Sequence, residues 1–175
     1  NKIYFCSSNV TEDGNVYDAA YDSIKFEPER VFDDIIDDVI QYIKMDIETD
    51  DDFEESDFRA LLIIDDLITS VANKRNKEVI KFLLKSRHLK CSIVIVSHKF
   101  NMLPTVIRNN LTDIIIFRSK SKQELETIYH GIIDLDYDKW LEFYNYATGE
   151  KHNFLYVQLN KNPQLYFHNF SEELT

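Results

Sequence analysis

The sequence predicts an α/β fold: a mostly parallel sheet flanked by helices, closed at its end by a β-hairpin. Three observations carry that prediction. Leu61-Leu62-Ile63-Ile64 and Ile93-Val94-Ile95-Val96 are short, unbroken aliphatic runs, the pattern of strands covered on both faces rather than one. Each run stops abruptly in polar residues, Asp65-Asp66 after the first and Ser97-His98-Lys99 after the second. Segments with helical spacing alternate with these runs, as in strand–helix–strand units.

In chain order, Lys2-Ile3-Tyr4-Phe5-Cys6 reads as a strand of aromatic and β-branched residues closed by Ser7-Ser8-Asn9, and Thr11 to Asn15 as a turn. Pro28 suits the first turn of a helix, with Val31, Phe32, Ile35, Ile36, Val39, Ile40 and Ile43 behind it at helical spacing. Its other face carries Asp33, Asp34, Asp37 and Asp38, read as a solvated face and not as metal ligands. Asp46–Asp57 is expected to be an acidic surface loop. After the strand at Leu61 and a polar link from Thr69 to Asn76, Lys77–His88 is amphipathic, with Val79, Ile80, Leu83 and Leu84 inward. The strand Cys91–Val96 comes next. Pro104 breaks the link after it, and Arg108-Asn109-Asn110 precede a third strand, Ile114–Phe117. Ser121-Lys122-Gln123-Glu124 is a capping box opening a helix that Gly131 is expected to close. A short helix at Tyr137–Tyr146 and two strands around Asn160–Pro163 complete the chain.

At 175 residues the chain fits one α/β domain. No apolar run approaches the roughly 18–20 residues of a membrane span. Cys6 and Cys91 sit in separate apolar runs, so buried reduced thiols are expected rather than a metal site or disulfide. The net charge of −11 is unevenly distributed. Asp46–Asp57 holds eight acids and no base, whereas Lys74–Arg108 holds nine Lys/Arg against the single acid Glu78. Such segregation allows a basic face, or simply a solvated helix, on an acidic protein.

Two acids at the end of a buried strand, a strand ending in Ser97-His98, and an arginine ahead of the next strand form an ordered set. On LLIIDD, FLLKSRHLKCSIVIVSH and LPTVIRNNLTDIIIFR, the chain resembles the FtsK/HerA-type ATPases. Within these it is most similar to the genome-packaging ATPases of large cytoplasmic DNA viruses of the poxvirus kind and their virophage relatives. The resemblance implies a P-loop NTPase-like fold of the RecA/ASCE type, with ATP and Mg²⁺ as cofactors. It places Asp65 on the Walker B acid that holds Mg²⁺, and Asp66 on the base that orients the attacking water. His98, where the family usually has Gln, or its neighbour Ser97, falls on the γ-phosphate sensor. Arg108, with Arg118 as second choice, falls on the arginine finger that reaches a neighbouring subunit's nucleotide.

The resemblance further implies a motor: a homo-oligomeric ring on double-stranded DNA, meeting capsid or portal components, in a viral factory of the host cytoplasm or on the virion. Lys74, Arg75, Lys77 and Lys99 are the candidate DNA contacts, acting on phosphates rather than bases. One motif is missing. Gly14, Gly131 and Gly149 are the only glycines, and none belongs to the GxxxxGK[ST] loop that cradles phosphate. The family keeps that loop and its strand just upstream of the segment matching Lys2–Phe5, so this chain alone is expected not to hydrolyse ATP. Two other readings stand beside this one. A non-catalytic acidic α/β scaffold or interaction module would show no dependence on Mg²⁺. A metal-dependent nuclease using Asp65 and Asp66 is disfavoured, because no lysine here has an acid two residues before it.

Overall fold

The computed structural model describes residues 1–9, 27–55, 57–73 and 76–175. The turn expected at Thr11–Asn15 lies outside them. The chain packs into two compact units, Asn1–His98 and Lys99–Thr175.

The first unit holds a parallel sheet of four strands in the order β2-β1-β3-β4, where β1 is Lys2–Ser7, β2 Val31–Phe32, β3 Ala60–Asp65 and β4 Cys91–Val96. Among the described residues its α-helices are α1 (Asp37–Glu48), α2 (Ile68–Val71) and α3 (Lys77–Lys85). One face of the sheet is packed. Tyr4 and Cys6 of β1 and Ala60, Leu62 and Ile64 of β3 are buried, as are Ile40, Ile43 and Ile47 of α1 and Val79 and Phe82 of α3. The other face is less covered than an unbroken aliphatic run leads one to expect. Leu61 and Ile63 are only half-buried, and Val94 and Val96 are 47% and 46% exposed. Among the described residues β4 pairs with β3 alone, leaving its second edge open.

The helix expected from Pro28 begins nine residues later. Pro28–Arg30 makes one 3-10 turn, and Val31 and Phe32 then pair with Phe5 and Cys6 as β2. Their helical spacing is coincidental; β-branched and aromatic residues satisfied their backbone groups in the sheet instead. The acids around α1 also differ from a plain solvated face. Asp37 accepts the amides of Glu78 at 3.0 Å and Val79 at 3.3 Å, capping the first turn of α3 from a position 41 residues earlier in the sequence. The acidic stretch starts inside α1, which runs on to Glu48. Asp46 there accepts hydrogen bonds from Lys2 Nζ at 2.7 Å, Tyr4 Oη at 2.6 Å and Arg30 Nε at 3.1 Å, and Asp50 pairs with Lys2 at 2.9 Å. Burial alone raises the pKa of Asp46, but those three donors outweigh it and hold the carboxyl below its usual range. Cys6 and Cys91 are buried free thiols. Burial pushes both up to about 12, with Asp34 adding to the effect at Cys6, so neither is a nucleophile at neutral pH.

The second unit is an antiparallel sheet in the order β5-β6-β7-β8: Asp113–Phe117, Phe154–Gln158, Leu165–His168 and Glu172–Leu174. The third expected strand, Ile114–Phe117, thus joins an antiparallel sheet, and the expected hairpin forms as β6–β7. Its helices are α4 (Thr105–Arg108), α5 (Lys122–Ile132) and α6 (Tyr137–Ala147). Ile116, Leu155, Val157 and Tyr166 are buried on the sheet, as are Trp140, Phe143, Tyr144 and Ala147 of α6. Ser121 caps α5 as expected by accepting the Glu124 amide at 3.2 Å. The Glu124 carboxylate does not return to Ser121; it takes the amide of Phe100. Nor does Gly131 close the helix, which runs through it to Ile132. A Cβ at Gly131 would meet Phe100 Cε1 at 3.1 Å, so glycine here serves close packing. Among the described residues no helix is long and apolar enough to cross a membrane.

Candidate active site

Parallel pairing aligns the carboxyl ends of β1, β3 and β4. Ser7 lies beside Asp65, and Asp65 beside Val96, so the residues after each strand emerge on the same edge of the sheet. Asp65 occupies the last position of β3 on the less covered face, in step with Leu61 and Ile63. Ser7, wholly buried, donates its hydroxyl proton to Asp65 Oδ2 at 3.0 Å. The same hydroxyl oxygen accepts the Asn9 amide at 3.3 Å.

Asp66 is set differently although it is the next residue. Its amide donates to the Val96 carbonyl at 3.2 Å, extending the β3–β4 ladder by one bond, and its φ of 52° then turns the chain out of the sheet. Aspartate tolerates that left-handed conformation better than most side chains. The Asp66 carboxylate is 42% exposed and lies 4.0 Å from His98 Nε2, an imidazole 86% exposed. At that distance and exposure the pair contributes little to stability; its interest is that both groups face solvent at the mouth of the strand ends. Ser97, half-buried, leaves β4 immediately before His98.

The structure therefore brings together Asp65, Asp66 and His98, with Ser97 next to His98 in the chain, and adds Ser7. In the sequence Ser7 reads only as the polar end of a strand. Its relevance depends on pairing with a residue 58 positions away, and the only sequence signal was a small hydroxyl residue ending a strand beside a possible acid-bearing one.

The arginines belong to the second unit. Arg108, the last residue of α4, lies with its guanidinium carbon 5.4 Å from the Phe100 ring centroid and donates from Nη2 to Thr105 Oγ1 at 3.0 Å. Its Nε is buried without a hydrogen-bond partner. Arg118 is exposed at the head group and donates to the carbonyls of Thr148 and Gly149, both at 3.3 Å. That is a cation at the carboxyl end of α6, where the helix dipole favours it. Of the basic residues named for nucleic acid, Lys77 opens α3 and is exposed, as is Lys99; Lys74 and Arg75 lie outside the described residues.

Oxygen donors, not nitrogen or sulfur, dominate the centre. Among the described residues no group of three or more His, Cys, Asp or Glu side chains could hold a metal by itself. The donor set, adjacent carboxylates at Asp65 and Asp66, is of the hard-oxygen kind that Mg²⁺ takes, one or two carboxylates with water completing its octahedron. It does not fit a structural metal cage.

Solved structures share the architecture. The genome packaging NTPase B204 from Sulfolobus turreted icosahedral virus 2 in complex with AMPPCP aligns with a TM-score of 0.65 at 16% identity, over 98% of this chain and 84% of that one. The same protein in complex with sulfate gives 0.66 at 17% identity, over 98% and 82%. B204, the DNA-packaging ATPase from Sulfolobus Turreted Icosahedral Virus, gives 0.64 at 15% identity, over 94% and 80%. At these identities the likeness is one of fold. No curated protein sequence matches the chain. The family described as Poxvirus A32 protein matches residues 9–139, a span that contains Asp65, Asp66, Ser97, His98, Arg108 and Arg118. With most of its length inside that match, the chain belongs to the Poxvirus A32 protein family.

Proposed function

We propose that this chain is the acid-and-sensor portion of a viral DNA-packaging ATPase, which couples ATP hydrolysis to movement of duplex DNA into a capsid. One observation carries the reading: adjacent acids at the carboxyl edge of a parallel sheet, held in two different environments. Asp65 is tethered by a buried hydroxyl, whereas Asp66 is turned outward by its left-handed backbone. Two chemically identical groups can then take two roles. The B204 proteins, described as genome packaging and in complex with AMPPCP or ATP-gammaS, support ATP as the nucleotide.

Asp65 would hold Mg²⁺, which neutralises charge on the phosphates. Asp66, solvent-facing, orients the attacking water and takes its proton. His98 hydrogen-bonds the terminal phosphate or the water, with Ser97 as its alternative. Arg108 serves a neighbouring copy in a ring. To do so it leaves Phe100 and Thr105, and its unpartnered Nε makes that departure less costly than breaking a full set of bonds. Lys77 and Lys99, with Lys74 and Arg75, contact DNA phosphates. Capsid or portal components are the further partners, in a viral factory or on the virion. The 175 residues contain no GxxxxGK[ST] loop, so the isolated chain is inactive in this reading. The open edge of β4 offers the pairing that an additional parallel strand carrying such a loop would need.

The test is DNA-stimulated ATP hydrolysis by a version extended upstream of Asn1. Asp66→Ala should lower kcat by about 10²–10⁴-fold, as expected for a general base, and Arg108→Ala by roughly 10³–10⁵-fold. Turnover that never appears, or variants that match the parent, would overturn the reading in favour of an acidic scaffold.

A further inference from the structure

We propose that Ser7 is a positioning residue for Asp65, fixing the carboxylate in the orientation that metal-bound nucleotide requires. This inference rests on the ATPase reading above and deepens it. Among the described residues only two polar side chains are buried to within about one per cent, Ser7 and Thr148. Thr148 is accounted for locally, since its hydroxyl donates to the Tyr144 carbonyl at 2.7 Å as α6 ends. Ser7 is more than a local device, although its oxygen accepts the Asn9 amide two residues on. Its proton goes to a carboxylate on another strand, 58 residues along the chain.

Burying a hydroxyl costs free energy that a hydrogen bond only offsets. An alanine would close β1 without that cost, between residues that are themselves apolar or at a strand end. What serine supplies and alanine lacks is an acceptor for the Asn9 amide and, reaching another strand, a donor aimed at Asp65 Oδ2. A carboxylate turns readily about its last bond. A donor fixed by the sheet, on a hydroxyl whose own oxygen is held by the Asn9 amide at 3.3 Å, removes that freedom. Mg²⁺ tolerates little departure from octahedral geometry, and groups that orient a metal's carboxylate commonly change metal affinity by about 10–100-fold when removed. The register places Ser7 where it can do this, since β1 and β3 pair without a bulge from Lys2–Ala60 to Ser7–Asp65.

The experiment measures binding of a fluorescent ATP analogue to the version extended upstream of Asn1 as Mg²⁺ is titrated, and again in EDTA. Ser7→Ala is expected to raise the Mg²⁺ concentration for half-maximal binding by about tenfold or more, with binding in EDTA unchanged. Ser7→Cys, similar in size but a weak donor, should fall between, and Ser7→Thr, which restores the hydroxyl, should return towards the parent. Circular dichroism confirms that each variant is folded; if alanine is not tolerated, the cysteine variant alone decides. A folded Ser7→Ala or Ser7→Cys with the parent's Mg²⁺ dependence overturns the role, as does equal weakening with and without metal. Asp65→Asn in the same assay separates the two levels. If it abolishes the Mg²⁺ dependence while Ser7 variants do not, only the Ser7 role fails; if it too leaves the dependence intact, the ATPase reading fails as well.

Discussion

Each of the two units covers a four-stranded sheet, but with different side chains and to different ends. The first buries aliphatic residues, Ile40, Ile43 and Ile47 of α1 and Leu62 and Ile64 of β3, and its polar groups sit at opposite ends of the strands. Lys2, Tyr4, Arg30, Asp46 and Asp50 tie the amino end of β1 to α1. Ser7, Asp65, Asp66 and His98 gather at the carboxyl end. The second unit is packed by rings. Trp140 lies 5.7 Å from Tyr144 and 5.5 Å from Tyr129, and Phe143 lies 5.8 Å from Tyr166. Its polar residues are spread between helix ends, Ser121 on α5, Asp136 on α6 and Arg118 beyond α6, and the strands, where Tyr156 bonds Asp113 and Tyr166 bonds Asp134. The contrast teaches that a parallel sheet separates a fastened end from an end where acids and an imidazole collect, whereas the antiparallel sheet returns its strands within the unit and so divides its ends less sharply.

Mutations can test whether the two packing schemes are independent. The largest effect is expected from Trp140→Ala, at about 3–5 kcal/mol for a fully buried ring. Hydrogen exchange should show protection lost in β5–β7 and kept in β3–β4; loss in both together would mean that the units unfold as one. Next comes Asp46→Ala, which removes the acceptor of three hydrogen bonds from Lys2, Tyr4 and Arg30. Hydrogen bonds to a charged group are worth about 1.5–3 kcal/mol, and partial exposure puts the expected loss at the lower end of that range.

The same residue gives the comparison a pH axis. The folded pKa of Asp46 is below its ordinary value of 3.8, so its stabilisation is complete above that value and is lost as pH falls through the lower folded pKa. Asp50 is held down too, chiefly by its hydrogen bond from Lys2. Acid denaturation followed by exchange should weaken the first unit in that window, and Asp46→Ala should flatten the dependence. The smallest effect is expected from Ser121→Ala, which removes one helix cap for about 1 kcal/mol. A thermal melt should shift slightly, with exchange accelerated in α5 alone.

Much of the first unit is legible in the sequence because its signals are local. Leu61–Asp65 and Cys91–Val96 announce strands by aliphatic runs that stop in polar residues, and both form within a residue of expectation. Val31 and Phe32 mislead because two residues of strand fit a helical spacing equally well, and only their pairing with Phe5 and Cys6 decides. Gly131 and Glu124 mislead for a related reason. Their partner is Phe100, which precedes α5 by more than twenty residues and leaves no mark on the helix's own pattern. At the candidate site, acids at a strand end are readable, but the tether on Asp65 depends on strand register and the outward turn of Asp66 on one backbone torsion. Hydrophobic pattern encodes neither. The pose of Arg108 is set close by in the chain, by Thr105 in its own helix and by Phe100 across a proline-broken link, whose bend the hydrophobic pattern does not reveal.

Trp140 is the chain's only tryptophan, and it lies wholly within the second unit, out of reach of water. Its indole nitrogen has no hydrogen-bond partner, and tyrosine rings stand 5.5, 5.7 and 6.1 Å away. Light absorbed at the red edge of the aromatic band, where tyrosine does not absorb, is therefore emitted from one unit alone, at the short wavelengths of a dry indole. The acids and the imidazole lie in the other unit, which contains no such chromophore. In the ATPase reading, a change in this emission on adding nucleotide would report an event within Lys99–Thr175, the unit that also carries Arg108.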